Sequence, residues 1–351
     1  MTDQEWALVR ACALGQPLAR IPAGLIVDSP WIPGWCGVDT LDYYMDPALW
    51  LTCQQRVRES FPGLLLFPGD WVEFGMAAEP SSFGCRLRFY HDQTVGIGHL
   101  ITSAEDIDLI KDLPVPDPRV DGLMPLALQA YRRQLGPLAA LGRKPRMAAS
   151  RGPLNIAGFL MTIPEFCVAV KTAPESVHAL LDKTTALVIR WLEAQMEAMG
   201  GAEGILVLDD ICGFFSEEEY LEFAQPRLKK IFDWFQVPVK MFHNDNFGNR
   251  YLTFPHIAEL GVNLFNFSHL ADLAEARRQL GGSVAILGNL PPLELLTRGT
   301  PETVRAETEK LLSRFHPDRG FLLSVGGGAS PGMPGENLKA MLAALEAYNR
   351  K

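Results

Sequence analysis

The sequence predicts an α/β fold, a (β/α)8 TIM barrel with an N-terminal helical extension. In the second half of the chain, five short apolar runs alternate with helical segments, and each run ends in polar residues or glycine. This alternation is typical of βα units, whose parallel strands are buried on both faces. The 351 residues also suit a barrel with additions, since such domains run from roughly 200 to more than 400 residues.

The predicted strands and helices follow one another along most of the chain. The five runs are Gly204–Leu208, Val237–Phe242, Asn263–Phe267, Ser283–Leu287 and Phe321–Val325, and Gly63–Phe67 and Met147–Arg151 resemble earlier strands. Between them, the apolar spacing predicts a long amphipathic helix over Glu175–Met199. Ser216 and Glu219 form a capping box that opens another helix, in which Pro226 predicts a kink. Thr300 and Pro301 are typical of the start of a third helix.

The first 60 residues differ in composition from the rest. They are rich in Trp and Pro, and their pattern is less regular. We therefore expect residues 1–60 to form an extension that packs on the barrel and residues 61–351 to form the barrel itself.

Charge and composition exclude several classes of function. The chain carries 32 basic and 41 acidic residues, a net charge of −9, without Lys/Arg blocks, so nucleic acid is not an expected partner. No run reaches the roughly 20 apolar residues that span a bilayer, and the N-terminal segment lacks the order of a signal peptide. The six cysteines are scattered without a CxxC pair, which excludes a zinc knuckle and favours a reduced, cytoplasmic setting.

Polar clusters at two strand ends are the candidate catalytic residues. His243-Asn244-Asp245-Asn246 follows one predicted strand, and Asp209-Asp210 follows the strand before it. Side chains at the C-terminal ends of barrel strands face the catalytic mouth, and residues two apart on a strand share a face. His243, Asp245 and Asp210 could thus bind zinc or a harder divalent ion, or act as a metal-free acid/base set. A purely structural role in the loops is the third interpretation.

Other strand-end residues are candidates for substrate binding. Arg151 could hold a carboxylate, or its stem could pack against the barrel. Asp209 and Asp210 point to opposite sides of an extended backbone, and we assign Asp210 to the mouth, while Asp209 binds substrate or caps the following segment. The remaining candidates for contact with the substrate are Asn244, Asn246, Asn266 and His269.

Several segments together resemble the uroporphyrinogen decarboxylase superfamily. They are SRGPLNIAGFL, LDD, EEEYLEFAQPRLKKI, VPVKMFHND, ELGVNLFN, DLAEARRQLGGSVAILGNLPP, RGTPETVRAET and GGGASPGMPGENL, which cover residues 145–351. The resemblance implies a barrel whose active site lies at the C-terminal ends of its strands. It also implies that Asn289 supplies a polar group at the mouth and that Gly327 stands at a site position in the last loop.

The superfamily has two branches, and this chain departs from both. One branch decarboxylates acetate side chains of a tetrapyrrole without a cofactor, using an arginine-rich N-terminal stretch and a histidine in the last glycine loop. That stretch is missing here, and Gly327 replaces the histidine. The other branch transfers methyl groups to or from a corrinoid or thiol, usually with zinc bound by His-x-Cys and a later Cys. Here His243 is kept, while Asp245 and Gly327 stand at the thiolate positions.

The resemblance favours a corrinoid-linked methyltransferase that acts on a small methylated substrate, such as a methyl ether or a methylamine. It implies a divalent metal, zinc, at His243, Asp245 and Asp210, a corrinoid carried by a partner protein, and a homodimer. The alternatives are a metal-free decarboxylase or lyase of a small carboxylate, which needs no cofactor, and a non-catalytic ligand-binding barrel.

Overall fold

The barrel sheet contains eight parallel strands. A computed structural model describes residues 1–27, 31–315 and 319–351. Its strands are β1 (Ala23–Ile26), β2 (Leu64–Phe67), β3 (Leu87–Arg88), β4 (Gly96–Ile97), β5 (Met147–Arg151), β6 (Gly204–Leu208), β7 (Val239–Asn244), β8 (Leu264–Phe267), β9 (Ala285–Leu290) and β10 (Phe321–Val325). The barrel strands are ordered β2-β1-β10-β9-β8-β7-β6-β5, and β3 and β4 form a separate antiparallel pair. The predicted (β/α)8 TIM barrel is confirmed.

Helices follow most of the barrel strands and bury an apolar face against them. They are α1 (Asp3–Ala13), α2 (Ile32–Cys36), α3 (Thr40–Met45), α4 (Pro47–Ser60), α5 (Ala78–Ser82), α6 (Asp108–Lys111), α7 (Met124–Ala140), α8 (Pro153–Leu160), α9 (Ile163–Thr172), α10 (Pro174–Ala198), α11 (Glu217–Glu219), α12 (Gln225–Trp234), α13 (Phe254–Ile257), α14 (Leu273–Leu280), α15 (Pro301–Phe315) and α16 (Gly335–Asn349). Among the described residues, no helix is both long and apolar enough to span a bilayer.

The N-terminal boundary that we predicted for the barrel is wrong. We placed its start at residue 61, whereas Ala23 in β1 already pairs with Leu64 of β2 and Leu323 of β10. Four apolar residues after Pro22 are a weak strand signal on their own. Only the pairing with distant strands shows that β1 belongs to the sheet.

The later elements agree more closely with the sequence pattern. Strands β5, β6 and β10 have the predicted bounds, whereas β7 extends through His243 and Asn244 and β9 extends through Asn289. Their side chains are polar, but their backbones continue the parallel ladder. The kink predicted at Pro226 takes the form of a π-helical turn, Tyr220–Ala224, after which α12 begins with this proline in its first turn.

The N-terminal end of the barrel is closed by α1. The indole nitrogen of Trp6 donates a 2.9 Å hydrogen bond to Glu203, just before β6. A Cβ on Gly204 would lie 3.0 Å from the Trp6 ring, so the small residue allows the close approach. The C-terminal end of the barrel is therefore the end at which strand-end side chains can form a site.

Candidate active site

The strand register brings polar residues to one face of the sheet. Arg151 of β5 pairs with Leu208 of β6, Leu208 pairs with His243 of β7, and His243 pairs with Asn266 of β8. Paired residues on neighbouring strands project to the same face. Asp210 and Asp245 come two residues after Leu208 and His243, and the structure brings both carboxylates close to the His243 ring.

His243 is buried, and its ring orientation is fixed by Asn266. Its Nδ1 lies 2.7 Å from the side-chain oxygen of Asn266. The Asn266 amide nitrogen donates to the main-chain oxygens of Leu287 at 2.6 Å and Val325 at 3.0 Å. Because both amide hydrogens are used in this way, the oxygen must face the ring and Nδ1 must carry the hydrogen. Nε2 is thus assigned the lone pair.

Two carboxylates surround this free nitrogen. Nε2 of His243 lies 3.5 Å from Oδ1 of Asp210. One ligand atom from each of Asp210, His243 and Asp245 can be chosen so that all three lie within 4.8 Å of one another. One imidazole nitrogen and two carboxylate oxygens form a donor set that fits a divalent cation, with further positions left for substrate or water. The predicted triad is therefore brought together in space.

The two carboxyl groups interact directly. Asp245 opens to the mouth, but the surrounding barrel walls desolvate it and raise its pKa above the usual range. His243 and His269 act in the opposite direction, whereas repulsion by Asp210 and a hydrogen bond between the two carboxyl groups raise the pKa further. Asp245 is therefore more readily protonated than an exposed aspartate.

Asn155 of α8 holds the Asp210 segment in place, and sequence analysis missed it. Its side-chain oxygen accepts from the backbone nitrogens of Asp210 at 3.1 Å and Ile211 at 3.2 Å. Its amide nitrogen donates to Leu208 O at 3.2 Å and to Asp210 Oδ2 at 3.4 Å. The sequence around Asn155, quoted above only for its family resemblance, carried no signal for the contact across to the end of β6.

Asp209, predicted to bind substrate or to cap the following segment, is bonded to the start of α8. Its side chain is fully buried, and its two oxygens accept from the backbone nitrogens of Leu154 at 2.9 Å and Asn155 at 3.1 Å. Complete burial raises the pKa of Asp209 well above the usual range, and these hydrogen bonds act against the rise. Its role is to accept hydrogen bonds from backbone N–H groups in the first turn of α8, which have no partner within the helix.

Asn266 and Asn289 were also predicted to bind substrate, and their amide hydrogens are used elsewhere. Asn266 is fully buried, and its side-chain oxygen positions His243. The Asn289 amide donates to Ser268 O at 3.1 Å and Ala271 O at 2.7 Å, which ties β9 to the loop after β8. Main-chain oxygens of other strands and loops thus accept the amide hydrogens of both residues, and a substrate contact by either residue stays a prediction.

The remaining predicted residues lie in or beside the mouth. The side-chain oxygens of Asn244 and Asn246 accept from backbone nitrogens within the β7 loop, at 3.0 and 2.9 Å. His269 is half-buried and near enough to Asp245 to influence its pKa. Gly327 has φ +129°, and a Cβ there would lie 2.8 Å from Asp245 Oδ2. A substrate contact by Asn244, Asn246, His269 or Gly327 stays a prediction.

Arg151 lies on the neighbouring wall. Its guanidinium carbon stands 5.5 Å from the centre of the Trp71 ring, and its Nη2 lies 3.7 Å from Glu73 Oε2. The backbone nitrogen of Arg151 donates to Glu79 Oε1 at 2.9 Å. This buried carboxylate therefore helps fix the end of β5.

A family comparison identifies the class of barrel. Residues 34–348 match the family model described as uroporphyrinogen decarboxylase (URO-D). The chain belongs to the uroporphyrinogen decarboxylase family. Members of this family to which it is similar include the uroporphyrinogen decarboxylase of Serratia proteamaculans (strain 568), at 29% identity over 78% of this chain and 76% of that one. The uroporphyrinogen decarboxylase of Actinobacillus pleuropneumoniae serotype 5b (strain L20) is 28% identical over 87% of this chain and 84% of that one.

A solved structure has the same fold as this member of the uroporphyrinogen decarboxylase family. The methyltransferase from Methanosarcina mazei superposes with a TM-score of 0.78 over 97% of each chain, at 20% sequence identity. Identity at this level supports the shared barrel and leaves the reaction open. The predicted family resemblance is thus confirmed, and the chemistry must be argued from the site.

Proposed function

We propose that this protein transfers a methyl group from a small methylated substrate, such as a methyl ether, to a corrinoid carried by a partner protein. The observation that carries the proposal is the donor set at the mouth, in which the free Nε2 of His243 faces the carboxylates of Asp210 and Asp245. The methyltransferase from Methanosarcina mazei has the same fold, so a barrel of this kind is compatible with the proposed reaction.

The donor set fits a divalent ion, with zinc as the first candidate. His243, Asp210 and Asp245 would hold it, and catalytic zinc sites commonly have three protein ligands. A bound ion would supply Lewis-acid activation of the heteroatom that leaves the methyl group. Oxygen donors make the site harder than a thiolate site, which is why we favour an oxygen leaving group over sulfur.

The protein's own groups orient the reaction. Asn266 keeps Nε2 of His243 directed at Asp210, and Asn155 keeps the Asp210 segment in place. As the methyl group passes to the acceptor, the leaving oxygen needs a proton. Asp210 and Asp245 would be ionised as metal ligands, so water at the mouth supplies this proton.

A metal-free lyase is the second candidate, and the same carboxyl pair favours it. Loss of CO₂ from a carboxylate leaves a carbanion that must be protonated, and Asp210 and Asp245, grouped with His243 at the mouth, are placed to act as the acid in that step. The names of the relatives from Serratia and Actinobacillus agree with such chemistry. The two candidates differ in whether the carboxylates bind a cation.

Metal content separates the candidates. Untagged wild type, His243→Ala and His256→Ala would be dialysed against zinc and then against metal-free buffer, and zinc measured by elemental analysis. His256 pairs with Glu217 on the outside of the barrel, so its variant is the matched control. We expect about one zinc per chain in wild type and His256→Ala, and none in His243→Ala.

Methyl transfer is then assayed with cob(I)alamin as acceptor and methoxybenzoates or methylamines as donors. Zinc-dependent formation of methylcobalamin would support the proposal. If the wild type retains no zinc and releases CO₂ from a carboxylic acid, the lyase replaces the methyltransferase.

A further inference from the structure

We propose that Arg151, lying against Trp71, is a carboxylate-binding subsite of the mouth and that the substrate therefore carries a carboxylate group. This inference rests on the proposed function only in taking the barrel mouth as the place where substrate binds. It assigns the substrate class that the donor set alone leaves open.

The guanidinium of Arg151 has hydrogen-bond donors to offer a ligand. Its side chain is only 8% exposed, yet within residues 1–27, 31–315 and 319–351 its guanidinium donates no hydrogen bond. Glu73 at 3.7 Å is a loose ion pair beyond hydrogen-bond distance. A guanidinium has five N–H donors, and those of Arg151 are not among the fully buried unpaired atoms of the described residues, so a ligand with acceptor oxygens can reach them.

The surroundings of Arg151 suit a planar, bidentate ligand. The Trp71 ring, 5.5 Å from the guanidinium carbon, supports one face of the guanidinium and leaves its edges for hydrogen bonding. Carboxylates match this geometry with two parallel N–H···O bonds, which is why arginine is the usual residue for recognising them. Glu79 fixes the backbone beneath, since its Oε1 accepts from Arg151 N at 2.9 Å and from Ser150 Oγ at 3.0 Å. The guanidinium is thus held before a ligand arrives.

The position of Arg151 relative to His243 sets the size of the substrate. The two residues share a face of the sheet and stand on β5 and β7, which are separated by β6. Neighbouring strands lie about 4.8 Å apart, so the two backbones are about 10 Å apart. A carboxylate on Arg151 and a reacting group at His243 can therefore be spanned by one small scaffold, such as a substituted benzoate.

The test compares acids with their amides in equilibrium binding. Acetate, benzoate and 3-methoxybenzoate are titrated against acetamide, benzamide and 3-methoxybenzamide by calorimetry, with tryptophan fluorescence as a second readout. Metal and corrinoid are omitted, so the result does not depend on turnover. In the wild type we expect at least one acid to bind about tenfold or more tightly than its amide, as a charge-assisted pair predicts.

Two variants of Arg151 and one control locate the effect. Arg151→Gln should abolish the preference for acid over amide, and Arg151→Lys should keep only part of it, because lysine retains the charge without the bidentate geometry. Arg250→Gln removes one exposed positive charge from the loop after β7 and should leave the preference unchanged. If Arg151→Gln does not fold, the wild-type preference and the Arg151→Lys result still decide the question.

The inference is overturned if no acid in the series outbinds its amide in the wild type, or if the preference survives in Arg151→Gln. Acid-selective binding without methyl transfer to cob(I)alamin would count against the proposed function and leave this subsite standing. Methyl transfer without acid selectivity would support the proposed function and count against this subsite.

Discussion

His243 and Asn266 are joined by a 2.7 Å hydrogen bond between the imidazole Nδ1 and the asparagine side-chain oxygen. Asn266 also donates to Leu287 O on β9 and Val325 O on β10. The orientation of one imidazole on β7 is therefore fixed by the next three strands of the barrel. Partners of this kind commonly tune a metal-binding histidine as strongly as they orient it.

Asn266→Leu should consequently weaken metal binding at His243. Removing the acceptor frees the ring to rotate and to change tautomer, and we expect zinc affinity to fall about 10- to 100-fold. The variant also leaves two main-chain oxygens without a donor, which costs about 1–3 kcal/mol of folding free energy. Competition with a chromophoric chelator measures the affinity, and urea denaturation measures the stability.

Asn263→Leu is the control for Asn266→Leu. Asn263 stands at the opposite end of β8, where its oxygen accepts from Lys240 N at 2.9 Å and its amide donates to Pro238 O at 2.8 Å. Its loss should lower stability by a similar amount and leave zinc affinity as in the wild type. Equal zinc affinities in the two variants would show that the Asn266 bond does not govern the site.

Substitutions of the two adjacent aspartates after β6 should have different effects, one on metal binding and the other on stability. Asp210→Asn removes a candidate metal ligand, so zinc affinity should fall while stability stays within about 1 kcal/mol of the wild type. Asp209→Asn offers one oxygen where the first turn of α8 uses two, and it should lose about 1–3 kcal/mol of folding free energy with zinc affinity retained. A loss of zinc in Asp209→Asn with unchanged stability would contradict these assignments.

Local sequence patterns predicted most of the strands and the cluster of polar residues at the mouth. The roles of Asn266 and Asn155 depend on contacts between residues far apart in the sequence. The spacing of His243 and Asp245 put both on one face, and the structure brings them together with Asp210. The role of Asn266 could not be predicted from local spacing, because its amide nitrogen donates to main-chain oxygens 21 and 59 residues later in the chain. Asn155, in contact with a turn 55 residues later, was missed for the same reason.

Asp70 provides a test of stability against pH. It is fully buried after β2, with Oδ1 2.6 Å from Arg143 Nη2 and Oδ2 3.6 Å from Arg58 Nη2. Burial by itself raises the pKa of Asp70, but the neighbouring positive charges outweigh it and lower the pKa to about 2. An unfolded aspartate has a pKa of about 3.9. The ionised carboxylate therefore stabilises the fold above about pH 4, and this stabilisation is lost as the pH falls toward 2.

Asp70→Asn should destabilise the protein by about 3–5 kcal/mol at pH 7, because the buried Arg143 guanidinium and the buried N-terminal ammonium of Met1 lose their counter-ion. The difference from the wild type should hold between pH 7 and about pH 4 and shrink below it. Urea denaturation at pH 7, 5 and 4, with thermal unfolding at pH 3, measures this. Asp92→Asn, which removes an exposed carboxylate from a loop, is the control and should leave the pH profile unchanged. A difference that stays constant down to pH 3 would rule out the carboxylate charge as its source.

Gly327→Ala tests whether the loop after β10 shapes the site. Its φ of +129° strains any other residue, and the added Cβ would lie 2.8 Å from Asp245 Oδ2, so the carboxylate must move. Gly332 lies in the same loop with φ +76° and open space around its Cβ position, so Gly332→Ala brings backbone strain without the contact. Each variant should lose about 1–3 kcal/mol of folding free energy from that strain. Only Gly327→Ala should also lose zinc affinity, by about tenfold, since it displaces a ligand. Matching zinc affinities in the two alanine variants would mean that Asp245 adapts to the added methyl group, and the close approach of Gly327 would then be a feature of the turn alone.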